Sequence, residues 1–208
     1  MKIIEIIHKK YKNYCEKKIK NSFKSCGEGV VIDEGVSVIN PENISVGDYV
    51  HLRRGCMLYA QGNTSGENKE KQPFISIGNN THIKENAVLN TYGGHIVLGE
   101  NVNIGQGTVL YGQGGIDIGN DSGIAPLSLV VASNHTYNQD GVPFRMQGET
   151  KKGIKIGCNV WCAGKVVVCD GVEIGDNVVV GAGSVVRKNI PDNAIVIGNP
   201  AQIAYIRE

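Results

Sequence analysis

Five histidines and six cysteines are the side chains of this 208-residue sequence best suited to proton transfer or nucleophilic attack. His135 stands out by its position. It lies in VVASNHTYNQDGVPFRMQGETKKGIKIG (130–157), where an otherwise regular chain loses its period, and therefore at the rim of a cleft. A neutral imidazole there can take a proton from an attacking nucleophile within hydrogen-bond reach. Asn134 beside it is a candidate substrate contact, as is Arg145 in the following GVPFR, which suits an anionic group and a surface ion pair equally well. His95 follows Gly93-Gly94 at a smaller break and is a further substrate candidate. His51 and His82 each come five residues after a core aliphatic, where side chains face outward, and His8 falls in a lysine-rich segment. No i, i+4 histidine pair or carboxylate partner marks a metal site, so no metal is expected. The cysteines form no CxxC pair and no zinc-finger spacing. Cys162 and Cys169 sit in apolar runs and read as small buried hydrophobes. Cys162 acting with His135 would be a nucleophilic alternative.

The elements that must position these groups show in a period of six. Aliphatic residues recur at Val46, Leu52, Leu58; Ile77, Ile83, Leu89; Leu98, Ile104, Leu110; and Ile118, Ile124, Val130. After the break they resume at Ile156, Val168, Ile174, Val180 and Val186, with Cys162 filling the gap. Glycine follows many of them, and a second small or branched residue comes four places later, as at Val102, Thr108, Val160 and Val178. This period fits neither an α-helix nor an alternating strand. It fits very short strands joined by tight corners, with Gly-Asn and Gly-Asp pairs supplying the positive φ that such corners need. Three faces make a triangular coil of 18 residues, and coils pair as parallel strands in an all-β solenoid from about residue 28 to 197.

The ends and breaks divide the chain further. Residues 1–27 read as a basic amphipathic helix, with eight lysines against two glutamates in 1–24, a local balance of +6. The remainder holds 13 basic and 18 acidic residues, or −5. The helix suits a cap over the open end of the solenoid better than a membrane-surface anchor, though weak membrane contact through residues 1–24 fits the same charge. Residues 60–74 read as a surface loop. The excursion 133–153, with Tyr137, Pro143, Phe144 and Met146, reads as an ordered arm. The tail 198–208 is expected to end in a short helix. No leader or membrane span is evident, so a cytoplasmic location with reduced thiols is expected, peripheral at most to the inner membrane face. Basic residues without interleaved aromatics make a nucleic-acid partner unexpected.

The run VWCAGKVVVCDGVEIGDNVVVGAGSVVRKNIPDNAIVIGNPAQ, with SNHTY before the excursion and GVPFR within it, resembles the hexapeptide-repeat acyltransferases. The likeness is greatest to sugar and polysaccharide O-acetyltransferases of the galactoside/maltose and lipopolysaccharide/capsule groups. That resemblance implies a left-handed parallel β-helix, a hand opposite to the usual crossover. It also implies acetyl-CoA as co-substrate, a sugar hydroxyl as acceptor and a homotrimer with active sites between subunits. His135 matches the family's catalytic base. Trp161 matches the family tryptophan beside the active site, and Ala163, Gly164, Ala182 and Gly183, one coil apart, leave room for a pantetheine arm along the expected cofactor groove. Arg187 and Lys188 match residues that meet CoA phosphates, and Pro200 a proline near the adenine. Gln202 stands where relatives often carry Lys or Arg, so one phosphate contact is either lost or taken over by Arg207. N-acetylation of a nucleotide-linked amino sugar is the alternative reading. A metal-dependent hydratase of carbonic-anhydrase type and a non-catalytic scaffold are minor ones.

Overall fold

The six-residue period becomes a three-sided parallel β-helix in the computed structural model, which describes residues 2–62 and 72–208. Each side of the prism is one sheet. The first face stacks Ser25–Cys26, Ile44–Val46, Phe74–Ile77, His95–Leu98, Ile116–Ile118, Ile154–Ile156 and Glu173–Ile174. The second runs from Val31–Ile32 through His51–Leu52, His82–Ile83, Asn103–Ile104, Gly123–Ile124, Trp161–Cys162 and Val179–Val180 to Ala194–Ile197. The third stacks Ser37–Ile39, Met57–Tyr59, Val88–Asn90, Val109–Tyr111, Leu129–Val131, Val167–Val168 and Val185–Val186. Inward residues form register columns such as Leu52, Ile83, Ile104, Ile124, Cys162 and Val180. All of them are buried. Burying one such aliphatic contributes about 1.5–3 kcal/mol, and only the neighbouring coils can provide that burial.

The glycine that follows the first-face aliphatic serves a purpose other than the expected one. Gly47, Gly99, Gly157 and Gly175 do not adopt positive φ; Tyr49, Asn101, Asn159 and Asn177, two places on, do so at 54–57°. A side chain is excluded at these glycines by the next coil. An added Cβ would lie 2.2–2.5 Å from Oδ1 of Asn79, Asn120, Asp176 and Asp192 respectively. Those oxygens accept hydrogen bonds of 2.7–2.9 Å from the N–H groups of Asp48, Glu100, Cys158 and Asp176. Each of these four corners is thus locked to the next coil by an Asn amide or Asp carboxylate oxygen that only glycine leaves room for.

Both long excursions leave from one corner, between the third face and the first, where residues 60–73 and 132–153 join the strands. The small slips at Gly93 and Gly115, both with φ 97°, fall on the same corner. Of the loop expected over 60–74, residues 63–71 lie outside the described residues. Its ends belong to the prism, since Ala60 is buried and Phe74 begins a strand.

The N-terminal helix spans Lys2–Ser22. Ile19 packs against the core and Phe23, just beyond it, is buried, while Tyr11 and Tyr14 are exposed. The side chains of residues 1–9 and Lys12, including His8 and three of the eight lysines assigned to membrane contact, lie outside the described residues. The expected C-terminal helix does not form. Gln202–Ile206 is instead a strand that turns back antiparallel to Ala194–Ile197. The QIAYI segment is rich in strand-favouring residues, and pairing satisfies the edge of the second face.

The corner lock has a measurable consequence. Gly157→Ala should lower the free energy of unfolding by about 1–3 kcal/mol, the usual cost of overpacking. Gly62→Ala, where an added methyl meets none of the described residues within 4 Å, should leave it unchanged. Equal denaturant midpoints for the two variants would contradict the lock.

Candidate active site

The arm is built from its own polar sequence. Asn134–His135 pairs antiparallel with Glu149–Thr150, so the excursion is a two-stranded ribbon with a short 3-10 turn at Phe144–Met146. At the tip, Gln147 accepts from the N–H of Gln139 at 2.9 Å and donates to the carbonyls of Gln139 and Val142. Thr136 donates its hydroxyl to the Gln147 carbonyl. At the base, Asp170 accepts from the Thr150 hydroxyl at 2.7 Å and from the N–H groups of Lys152 and Gly153 at 2.9 and 3.1 Å.

His135 sits at the start of this ribbon, opposite Glu149. Its Nε2 lies 3.8 Å from Glu149 Oε1, and Phe144 packs edge-on against the ring with centroids 5.1 Å apart. The other Glu149 oxygen accepts from Gln113 Nε2 at 2.8 Å and faces Lys151 Nζ at 3.6 Å. The imidazole is half exposed, so its ion pair with Glu149 contributes about 0–1 kcal/mol. The arm is therefore held by Asp170, whose charge-assisted bonds are worth more apiece. Between arm and third face opens a cleft of about 520 Å³, lined by Asn134, His135, Tyr137, Lys152, Cys169 and Asp170 among others.

Other expected site residues are dispersed. His95 is on the first face, stacked flat on Phe74 at 5.3 Å and paired with Asp117 at 3.3 Å; it does not line the cleft. Arg145 is exposed in the 3-10 turn beside Phe144. Trp161 points outward from the second face, 47% exposed, with its ring over Gly123. Ala163, Gly164, Ala182 and Gly183 form the corner between the second and third faces, where the Gly183 N–H donates to the Gly164 carbonyl at 2.9 Å. An added Cβ at Gly183 would meet nothing within 4 Å, so this corner is an open strip that a slender chain can approach. Arg187 and Lys188 are exposed after the last third-face strand, one coil beyond Cys169, and neither has an ion pair among the described residues. Pro200 and Gln202 are exposed near the terminus. Arg207 donates to the Asn177 carbonyl, so its guanidinium is already engaged.

His135 and the small-residue corner thus occupy opposite edges of the third face. The His135 imidazole and the expected pantetheine strip do not meet within one chain. Glu149, Gln113 and Asp170 were not anticipated from the sequence. The Asp140-Gly141 pair is a hairpin-turn signal that could have pointed to a returning strand near Glu149, but nothing local fixes its register. Cys162 is excluded as nucleophile: it is inward and fully buried, and burial pushes its thiol up to about 12. Among the described residues no three His, Cys, Asp or Glu side chains come together to hold a metal ion.

Comparison with known proteins bears on what this arrangement does. The family described as bacterial transferase hexapeptide (six repeats) matches residues 153–188. A galactoside O-acetyltransferase of Escherichia coli K12 is 35% identical over 139 residues, 66% of this chain and 66% of that protein. A galactoside O-acetyltransferase of Lactococcus lactis is 32% identical over 134 residues, 64% of this chain and 63% of that one. The chain therefore spans just under two thirds of the length of these relatives. Among solved structures, AntD, an N-acyltransferase from Bacillus cereus in complex with dTDP and 3-hydroxybutyryl-CoA, shares the fold. Its TM-score is 0.62 at 22% identity, over 93% of this chain and 88% of that one.

Thiol chemistry tests the site geometry directly. Iodoacetamide at neutral pH should label exposed Cys158 in the native protein and spare buried Cys56 and Cys162, whose thiols burial raises to about 12. Peptide mass spectrometry showing Cys162 modified before unfolding would contradict its place in the core.

Proposed function

We propose that the chain is a bacterial hexapeptide-repeat transferase with that family's left-handed parallel β-helix, and that it acts as an acetyl-CoA-dependent O-acetyltransferase. The acceptor is a sugar hydroxyl, in the manner named for its galactoside O-acetyltransferase relatives, within surface polysaccharide synthesis. The observation that carries this reading is His135, held on an ordered ribbon at the mouth of the cleft with Glu149 behind it.

The roles follow from the chemistry. A sugar hydroxyl is a weak nucleophile at neutral pH. His135 takes its proton as the oxygen attacks the acyl carbon, and Glu149 faces the imidazolium that forms. The imidazolium then returns that proton to the departing thiolate, so no acyl-enzyme is required. Acetyl-CoA supplies the acetyl group as an activated thioester. Ala163, Gly164, Ala182 and Gly183 leave its pantetheine arm room against the backbone. Arg187 and Lys188, unpaired among the described residues, suit its phosphates, with Trp161 and Pro200 flanking. Backbone N–H groups of a neighbouring coil serve the oxyanion. Asn134 lines the cleft and contacts the acceptor, with Arg145 on the arm above.

A homotrimer completes the site. The base and the pantetheine strip lie on opposite edges of the third face, so each cleft takes its strip from another copy. The outward row between those edges, Met57, Val88, Val109, Leu129, Val167 and Val185, is uncharged and apolar, with Met57 and Leu129 more than a third exposed. An apolar stripe of this length suits burial against a second chain.

The test is thiol release from acetyl-CoA across free, nucleotide-linked and lipid-linked sugars. Turnover by His135→Ala should fall by at least about 10²-fold, the scale of general-base catalysis. Near-normal turnover in that variant would remove His135 from its role.

A further inference from the structure

Two buried side-chain atoms lack a hydrogen-bond partner among the described residues, Arg53 Nε and His82 Nδ1. Burying a polar group unpaired costs about 1–3 kcal/mol, so two of them in one cluster call for a ligand. They do share one cluster. The Arg53 N–H donates to the Ile83 carbonyl, which sets Arg53 beside Lys84 one coil on, and His82 pairs in register with His51, their rings 6.0 Å apart. Asp33 is taken up by His51 Nε2 at 3.4 Å and by a terminal Arg53 nitrogen at 3.6 Å. That leaves Arg53 Nε–H, His82 Nδ1 and the Lys84 ammonium, which has no ion pair among the described residues. Burial and the nearby charges of Lys84, His51 and Arg53 also hold the pKa of His82 below its usual value, as expected where positive charge is uncompensated.

We propose that Arg53, His82 and Lys84 form a binding site for a phosphate or pyrophosphate group carried by the acceptor. A guanidinium N–H, an imidazole N–H and an ammonium are donors suited to the oxygens of one phosphate. The site's place in the prism assigns the carrier, a step that rests on the acetyltransferase reading. Arg187 and Lys188, assigned to the CoA phosphates, lie near the C-terminal end, five coils from Arg53. At about 4.8 Å per strand spacing that is roughly 24 Å, so the two basic groups serve different anions. The His82 column reaches Trp161 in three coils, through Asn103 and Gly123, or roughly 14 Å. A sugar linked through pyrophosphate to a nucleoside or to a polyprenyl chain carries such a group.

The experiment is calorimetric titration of the full chain with inorganic pyrophosphate, repeated on Arg53→Met and His82→Ala, with CoA titrated in parallel. Pyrophosphate should bind the wild type, weaken at least tenfold in each variant, and leave CoA affinity and melting temperature unchanged. UDP and geranyl diphosphate should both displace it, the tighter of the two identifying the carrier. No binding to the wild type, equal affinity in the variants, or no displacement by either compound would overturn the site and leave both buried nitrogens to water. Loss of His135-dependent turnover plays no part in these titrations, so failure of the acetyltransferase reading would be seen separately.

Discussion

Parallel coils stacked at one strand spacing leave almost no volume at the corner between the first and second faces, and the rest of the molecule depends on how that shortage is met. At the corner between the first and second faces, an Asn or Asp oxygen of one coil occupies the place where the preceding coil's glycine would carry a Cβ. The lock repeats along the prism, so insertions are excluded there. The corner between the third and first faces lacks it, and both long excursions depart from that edge. The position of the arm, and of His135 on it, therefore follows from where the solenoid can be opened without loss of interlocking.

Much of this was legible in the sequence. The inward aliphatics from Val46 to Val186 are buried as their period required, and Cys162 fills its gap as a hydrophobe would. Periodicity records burial, and burial is set by the coil itself. The glycines were legible as special but for a different reason, because close approach by a residue 17 to 32 positions away leaves no local signature. The C-terminal strand was missed because a short apolar tail carries no period, and only the unpaired edge of Ala194–Ile197 decides its conformation.

The candidate site was legible only where it coincided with the break in the period. His135 and Asn134 share the cleft, whereas His95 is absorbed into a stack with Phe74 and Asp117 on another face. Glu149 and Asp170 escaped notice because their roles depend on ribbon register and on a bond between an arm and a later coil. The dispersal of the expected cofactor residues carries its own information. His135 on one edge of a face and a small-residue strip on the other do not make a site in one chain, which is why the proposed function joins them across the apolar face of a second copy.

Complementation tests that shared site most directly. His135→Ala and a chain with a blocked strip, Gly164→Trp with Gly183→Trp, would each be inactive alone. Co-expressed and purified as mixed assemblies, they should recover a substantial fraction of wild-type turnover, because the intact base of one chain meets the intact strip of the other. Mixed assemblies as inactive as either parent would show that base and strip must belong to one chain, and would contradict the account.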